Sequence, residues 1–336
     1  MAVTIKDVAK LANVSTSTVS RVISNNSKIS SDTKARVFEA IKTLGYHPNE
    51  IARSLANNSA NVLGLILPNN ENDLFNNPFF ILLMKGISVY AQKKGYNIMY
   101  SFSKDENEEI DIIKKYTYGK AVDGIILLRS NQNDKCIKYL KEIDYPFVVV
   151  GRPENPENIL WVDNDNYNAM FNVVSGLIYN EKKQIAFIGA STDMNMSKDR
   201  LAGYKKALEN HGIPFDERLT AEGNEFSEQN GYELMQKILK YKKPDAVTAT
   251  DDLLALGAIK ALKEIYSVND ISIVGFNNIP QAEYKYSRLS SVDINSEELG
   301  KSAAKLLINK LLRGNEILVN HLIIETRFVD RENFIT

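Results

Sequence analysis

Apolar positions in the first sixty residues recur at helical spacing in three short bursts separated by polar punctuation. Thr4 is placed to cap a helix whose apolar positions Ile5, Val8, Ala9 and Ala12 follow one another at helical intervals, and Asn13 ends it. Ser15 is placed to cap a second, with Val19, Val22 and Ile23 inward and Thr16, Ser17, Thr18, Ser20 and Arg21 on the other faces. A third is predicted from Ser31 or Asp32 to Leu44, where Ala35, Val37, Phe38, Ala40, Ile41 and Leu44 supply the core and Gly45 the stop. Two short helices on a tight turn, the second opening with small hydrogen-bonding side chains, predict a helix-turn-helix unit. In such a unit the second helix sets its N-terminal residues against base edges in the major groove. The same pattern also fits a basic three-helix bundle that binds protein.

Beyond the polar stretch 57–61 the beat changes. Apolar runs NVLGLILP, YNIMYSF, VDGIILL and PFVVVG alternate with helical patterns from Pro78 to Lys94, Glu106 to Tyr118 and Asp134 to Ile143. A second series, QIAFIG, DAVTAT and ISIVGF, is interleaved with helical patterns from Ser197 to His211, Glu228 to Tyr241 and Leu253 to Tyr266. This β–α alternation predicts an α/β core of parallel sheets covered by helices on both faces. Two such lobes in one chain leave a cleft at the carboxyl ends of the strands, where open α/β sheets place ligands.

Length and composition narrow the classes. The 336 residues suit two or three folded units of about 150 residues each, and 44% hydrophobic and 25% charged residues are ordinary for a globular protein. No apolar run approaches the ~20 residues of a bilayer span and no leader pattern opens the chain, so a cytoplasmic protein is expected. One cysteine, Cys136, and three scattered histidines, His47, His211 and His321, leave no disulfide framework and no metal site to expect. Neither G-x-G-x-x-G nor G-x-x-x-x-G-K-[ST] occurs, and no Ser/His/Asp set stands out, so neither an enzyme nor a cofactor is expected.

Charge is uneven. Residues 1–60 carry Lys6, Lys10, Arg21, Lys28, Lys34, Arg36, Lys42 and Arg53 against Asp7, Asp32, Glu39 and Glu50, a net of 8 − 4 = +4 in a chain whose formal total is −1. A short basic end on an acidic body points to a nucleic-acid-binding head.

V-T-I-K-D-V-A-K-x-A-x-V-S-x-x-T-V-S-R-V from Val3, followed by G-Y-x-P-N-x-x-A-R-S-L from Gly45 to Leu55, resembles the head and hinge of the LacI family of bacterial transcription regulators. The resemblance implies a helix-turn-helix head over 1–47, a hinge helix and linker over 48–60, and a two-lobed periplasmic-binding-protein-like core over 61–336. Its first lobe would span about 61–161 plus 293–320 and its second about 162–290 plus 322–336. The three crossings between lobes are expected near Trp161 to Asp163, Leu289 to Val292 and His321 to Thr326.

By the same resemblance Thr16, Ser17, Thr18, Ser20 and Arg21 lie on the recognition helix, with Thr16, Ser17 and Arg21 reading bases. Thr4, Ser15, Ser24, Asn25, Ser30 and Thr33 contact phosphates, which set register without carrying sequence information. Leu55, with Asn49 and Ala52 beside it, matches the leucine that wedges into the minor groove. Asn76 to Phe80, Tyr118 to Gly124, Val162 to Asn166, Ser197 to Tyr204 and Val292 to Gly300 are similar to the maltose-operon repressors of Gram-positive bacteria.

A sugar effector asks for aromatic faces against pyranose rings and planar polar groups for hydroxyl pairs. Arg200 matches the family arginine that grips ligand, and Phe226 an aromatic that stacks on it. Phe79, Phe80, Asp163, Asn164, Ser197, Asp251 and Asn277 complete the expected set. Asp251 stands where the family usually has Asn, and Asn277 where it usually has Asp. Phe79 and Phe80 fit the lobe core equally well, and Ser197 and Asp251 fit helix caps. The resemblance further implies a homodimer on a pseudo-palindromic operator, released by maltose or a maltodextrin. The alternatives are a relative needing a corepressor, such as a phosphoprotein or a purine, and a sugar-binding protein without a DNA role.

Overall fold

The structure is a computed structural model and describes residues 3–23, 27–46, 59–68, 77–190, 193–266, 270–286, 289–314 and 319–331. The chain divides into two compact units, 1–60 and 61–336.

In the first unit, Thr4 opens α1 (Ile5–Leu11) by donating its backbone N–H and its hydroxyl to the Asp7 carboxylate, at 2.9 and 2.7 Å. Asn13 turns the chain at φ 51°, a left-handed value that asparagine tolerates. The Ser15 hydroxyl then accepts from the Thr18 N–H at the start of α2 (Thr16–Ile23). Ser30 caps α3 (Ser31–Leu44), which stops at Gly45 with φ 61°. Val8, Ala9, Ala12, Val19, Val22, Val37 and Ala40 form the core, with Ile41 and Leu44 packed on it. Ala35 and Phe38, expected inward, are exposed instead. The stripe of α3 that faces its neighbours runs through 37, 40, 41 and 44, and on a helix of 3.6 residues per turn 35 and 38 fall outside it.

The second unit is built on two six-stranded sheets. The first has the order β11-β5-β4-β3-β1-β2 and is parallel throughout, using β1 (Val62–Pro68), β2 (Asn97–Ser103), β3 (Gly124–Leu127), β4 (Phe147–Val150), β5 (Leu160–Asn164) and β11 (His321–Ile324). The second has the order β12-β10-β9-β8-β6-β7, using β6 (Ile185–Gly189), β7 (Thr220–Glu222), β8 (Ala246–Ala249), β9 (Ser272–Phe276), β10 (Ser290–Asp293) and β12 (Arg327–Val329). Only β12, against β10, is antiparallel among these pairs. Both sheets repeat one strand order, in which the direction of winding reverses beside β1 and beside β6. Crevices at such reversals lie at the carboxyl ends of the strands.

The helices are α4 (Pro78–Lys93), α5 (Glu106–Tyr118), α6 (Lys135–Glu142), α7 (Asn166–Tyr179), α8 (Asn195–Asn210), α9 (Glu228–Leu239), α10 (Asp252–Lys263), α11 (Pro280–Lys285) and α12 (Ser296–Arg313). Three helix pairs close on glycine. A Cβ on Gly86 of α4 would lie 2.0 Å from the Glu297 carbonyl of α12, and one on Gly300 of α12 would lie 2.0 Å from that of Leu83. Gly203 of α8 meets Tyr167 of α7, and Gly257 of α10 meets Glu228 of α9, in the same way.

Strand β5, helix α7 and helix α12 were not among the elements the hydrophobic runs predict, and they move the crossings. Val162, Asp163 and Asn164 pair with β11 inside the first sheet, so the chain leaves that sheet at Asp165, not near 161–163. Likewise Ser290–Asp293 belongs to the second sheet and the return falls at 294–295, not 289–292. The third passage, at 325–326, lies inside the expected 321–326. A polar strand end such as Val-Asp-Asn looks like a loop in sequence because its buried polar groups are satisfied only by the folded chain.

Cys136, on α6, is buried with Ile113 and Trp161, and burial pushes its thiol far up from its ordinary value. Among the described residues no helix is long and apolar enough to cross a membrane.

Candidate ligand cleft and nucleic-acid interface

The carboxyl ends of strands from both sheets open onto one cavity of about 560 Å³, within the range of small-ligand sites. Asn77, Phe79 and Phe80 enter it beyond β1, Arg129 and Ser130 beyond β3, Gly151 beyond β4, and Asp163 and Asn164 from the end of β5. From the second sheet come Met194 beyond β6, Asn224, Glu225 and Phe226 beyond β7, Asp251 beyond β8 and Asn277 beyond β9. Arg200 reaches it from α8.

Arg200 is 2% exposed. Its Nε donates to Asn166 Oδ1 at 2.9 Å, one Nη donates to the Thr250 carbonyl at 2.6 Å, and the guanidinium lies 4.2 Å from the Phe276 ring centre. The other Nη has no partner among the described residues. Burial pulls the guanidinium down to about 10, against the opposing pull of Asp163, Asp251 and Asp252, so it remains a cation at neutral pH.

Asp251 caps α10 through the Leu253 N–H at 2.6 Å and accepts from the side chains of Asn277 at 2.6 Å and Asn77 at 3.5 Å. Burial raises its carboxyl to about 6, against the Leu253 N–H and Arg200. Asp163 accepts from the backbone N–H of Arg152 and Asn164 and from the Asn166 amide; burial raises it too. Asn277 sits at φ 96°, unusual for any residue but glycine, with its N–H tied to the Val292 carbonyl.

Phe79 and Phe80 pack edge to face, 5.2 Å between ring centres, and serve both the core and the cavity wall, as Phe226 does from the other side. Sequence reasoning thus found Phe79, Phe80, Asp163, Asn164, Arg200, Phe226, Asp251 and Asn277, all of which line the cavity. Ser197 does not: it is buried in the first turns of α8, its hydroxyl unpartnered, and the cap position belongs to Met194. Arg129, Asn77 and Asn166 were missed. An arginine after an apolar run looks like a solvated strand end, and only the β3 position turns it inward.

The rim of the cleft is bridged from lobe to lobe. Arg152 pairs with Asp199 at 2.7 and 2.9 Å, the Asn195 amide donates to Ser130 Oγ and to the Arg152 carbonyl, and Asn131 pairs with Met194 through an isolated β-bridge.

In the first unit, Thr16, Ser17, Ser20 and Arg21 are exposed along α2, while Thr18 is half-buried. The Ser15 hydroxyl bonds those of Ser17 and Thr18 at 2.7 and 2.9 Å, and Ser30 bonds Thr33. Thr4, Ser15 and Ser30 therefore stand at helix N-termini, where backbone N–H groups and the helix dipole favour anions. Ser24, Asn25, Asn49, Ala52, Leu55 and the hinge segment 48–56 lie outside the described residues.

A helix-turn-helix unit and a two-sheet receptor with a cleft between its halves together define a ligand-responsive DNA-binding regulator. Residues 4–49 match the pattern of bacterial regulatory proteins of the lacI family, and 175–333 match the periplasmic binding protein-like domain. The chain is 39% identical over 333 residues to the HTH-type transcriptional regulator MalR of Streptococcus pneumoniae, covering 97% of this chain and 100% of that one. A solved complex of the transcriptional regulator CelR with cellobiose superposes with a TM-score of 0.77 at 30% identity, covering 98% and 99% of the two chains. The lac repressor dimer bound to operator and the anti-inducer ONPF shares the fold, with a TM-score of 0.85 at 21% identity over the full length of both. The chain belongs to the LacI family of bacterial regulatory proteins.

Proposed function

We propose that this protein represses sugar-utilisation genes by binding a pseudo-palindromic operator as a homodimer, and that maltose or a maltodextrin entering the cleft releases it. The observation that carries the reading is the composition of one cavity. Three phenylalanines line it, the residue type that stacks on a pyranose ring, together with Arg200, Asn277, Asp251 and Asp163, whose groups suit paired hydroxyls.

The repressor reading rests on the exposed Thr16, Ser17 and Arg21 of α2, with phosphates held by Thr4, Ser15, Ser30 and Thr33. One helix-turn-helix reads half a site, so two-fold pairing supplies the rest. Sugar coupling to DNA is a difference in affinity between two conformers and is reciprocal: operator must weaken sugar binding by the factor with which sugar weakens operator binding. The reading places the protein in the cytoplasm and gives it no catalytic role.

Anisotropy titration on a duplex selected from a random pool tests this. Maltose or maltotriose is expected to weaken binding tenfold or more, about 1.4 kcal/mol. Unchanged operator affinity with every maltodextrin removes that effector. A second reading, cellobiose, is favoured by likeness to the CelR complex, and the same titration with cellobiose separates the two.

A further inference from the structure

Two cations line the cavity, Arg129 from the first sheet and Arg200 from α8, against the carboxylates of Asp163, Asp251, Glu225 and Glu228. Arg200 is accounted for by Asp163 and Asp251 beside it. Arg129 is held differently. Its Nη2 donates to Glu109 Oε2 at 2.6 Å, in a pair whose side chains are only 17% and 4% exposed. Glu109 stands on α5 and does not line the cavity.

That geometry leaves one terminal nitrogen of the guanidinium unused. Nε is buried without a partner, and Nη1 has none among the described residues. Nε lies too deep for an occupant to reach, so Nη1 is the donor that a cavity occupant can fill. The guanidinium's charge, in contrast, is already met. Glu109 neutralises it directly and Asp134 adds to the same field, although the Asp134 carboxylate also holds the N-terminus of α6 through Ile137. Hydrogen bonding and net charge are thereby separated at one site.

We propose that Glu109 is a specificity-determining residue: by pairing with Arg129 from outside the cavity lining, it lets the guanidinium Nη1 offer a hydrogen bond to a neutral sugar while withholding the positive charge that a phosphorylated or acidic sugar would need. An anion placed in this cleft would meet Glu225 and Glu228, with the charge of Arg129 met by Glu109 and that of Arg200 offset by Asp163 and Asp251, and would lose its hydration for little return. A neutral polyol loses far less and gains donors from Arg129 on one lobe and Arg200 on the other. Glu109 is a positioning residue, since it reaches the occupant only through Arg129. The inference rests on the cleft being the sugar site.

Isothermal titration of the full chain reads both. Maltose, maltotriose and cellobiose are the neutral probes, and maltose phosphate and glucuronate the anionic ones. Wild type is expected to bind a neutral probe and to disfavour both anionic ones by about a hundredfold or more. Glu109→Gln, which keeps an acceptor and removes the charge, is expected to narrow that ratio by about tenfold or more, whereas Glu109→Asp preserves it. If wild type binds no neutral probe, the sugar-site reading fails and takes this one with it. If wild type binds neutral probes but takes anionic ones equally, or if Glu109→Gln leaves the ratio unchanged, the charge filter alone is overturned.

Thermal unfolding shows whether each variant is folded. Should Glu109→Gln lose cooperative unfolding, the double variant Arg129→Met/Glu109→Met decides, because an apolar pair of similar volume commonly replaces a buried ion pair without loss of fold. It is expected to lose about tenfold or more in neutral-sugar affinity, and wild-type affinity would overturn the proposal.

Discussion

The side-chain amide of Asn164 donates to the Ile324 carbonyl at 2.8 Å and to the Ile294 carbonyl at 3.0 Å. Asn164 ends β5, Ile294 follows β10 and Ile324 ends β11, so one side chain ties together the three places where the chain passes between sheets. Its two amide hydrogens are spent there. Asn164→Ala is expected to leave two buried carbonyls without donors and to cost about 2 kcal/mol or more. Denaturant unfolding checks this; an unchanged midpoint would show that the crossings do not depend on the clasp.

Arg200 lines the cavity and is structural as well. Removing it leaves Asn166 Oδ1 and the Thr250 carbonyl without their donor and takes away the cation that offsets the buried Asp163 and Asp251, a loss of about 1–3 kcal/mol or more. Arg200→Ala is therefore expected to lower the melting temperature as well as to abolish the response to sugar. Arg200→Lys keeps the charge without the fork and is expected to be more stable than the alanine variant, yet still unresponsive. Melting curves together with operator titrations, with and without sugar, separate the two effects. A fully responsive Arg200→Lys would remove Arg200 from the ligand site.

Asp251 gives the core a pH signature. Burial raises its folded-state value from the ordinary 3.8 to about 6, so the native protein holds an extra proton between those values. Stability supplied by that proton is present at low pH, declines as pH rises through this window, and is absent above it, a span of up to about 3 kcal/mol. Asp251→Asn retains a good helix cap and is expected to remove this slope. Unfolding free energies at pH 4, 5, 6 and 7 for both proteins test it through their difference. Equal slopes would mean that Asp251 does not carry the extra proton.

Gly86 and Gly300 set the distance between α4 and α12. A methyl group at Gly86 would meet the Glu297 carbonyl at 2.0 Å, a backbone atom that cannot swing aside. Gly86→Ala is expected to cost at least about 1–3 kcal/mol, the usual range for overpacking. Gly45→Ala, where a Cβ meets nothing but φ is 61°, is expected to cost about 1 kcal/mol from backbone strain. Paired melting curves give the order directly.

On the DNA side, Arg21→Ala is expected to cost about 1–3 kcal/mol and to relax preference at one base position. Lys6→Ala and Lys10→Ala are expected to weaken all duplexes alike and to flatten the salt dependence. Binding to a mutated-site panel at two salt concentrations distinguishes base reading from charge. Uniform weakening by Arg21→Ala would move it to the phosphate class.

How much of this was legible in the chain depended on whether a residue's role is local. Val8, Val19, Val22 and Val37 declare themselves by helical spacing, and the continuous runs of β1, β6 and β9 declare strands buried on both faces. Phe38 misled because apolar character alone does not fix which side of a helix faces in. The Val162–Asn164 end of β5 was hidden because Asp163 and Asn164 are buried polar residues whose partners, Arg152 and Ile324, lie 11 and 160 positions away. Arg129 and Glu109 are 20 residues apart on different elements, and nothing short of the folded sheet brings their side chains together.

Cys136 has a practical consequence. With one sulfhydryl in the chain, sealed against Trp161 and Ile113 and held firmly in its protonated form, thiol reagents can attack only when α6 lifts from its bed. The rate of labelling by a maleimide is then a clock for transient opening of that half of the receptor, built into the natural sequence and readable without an engineered tag.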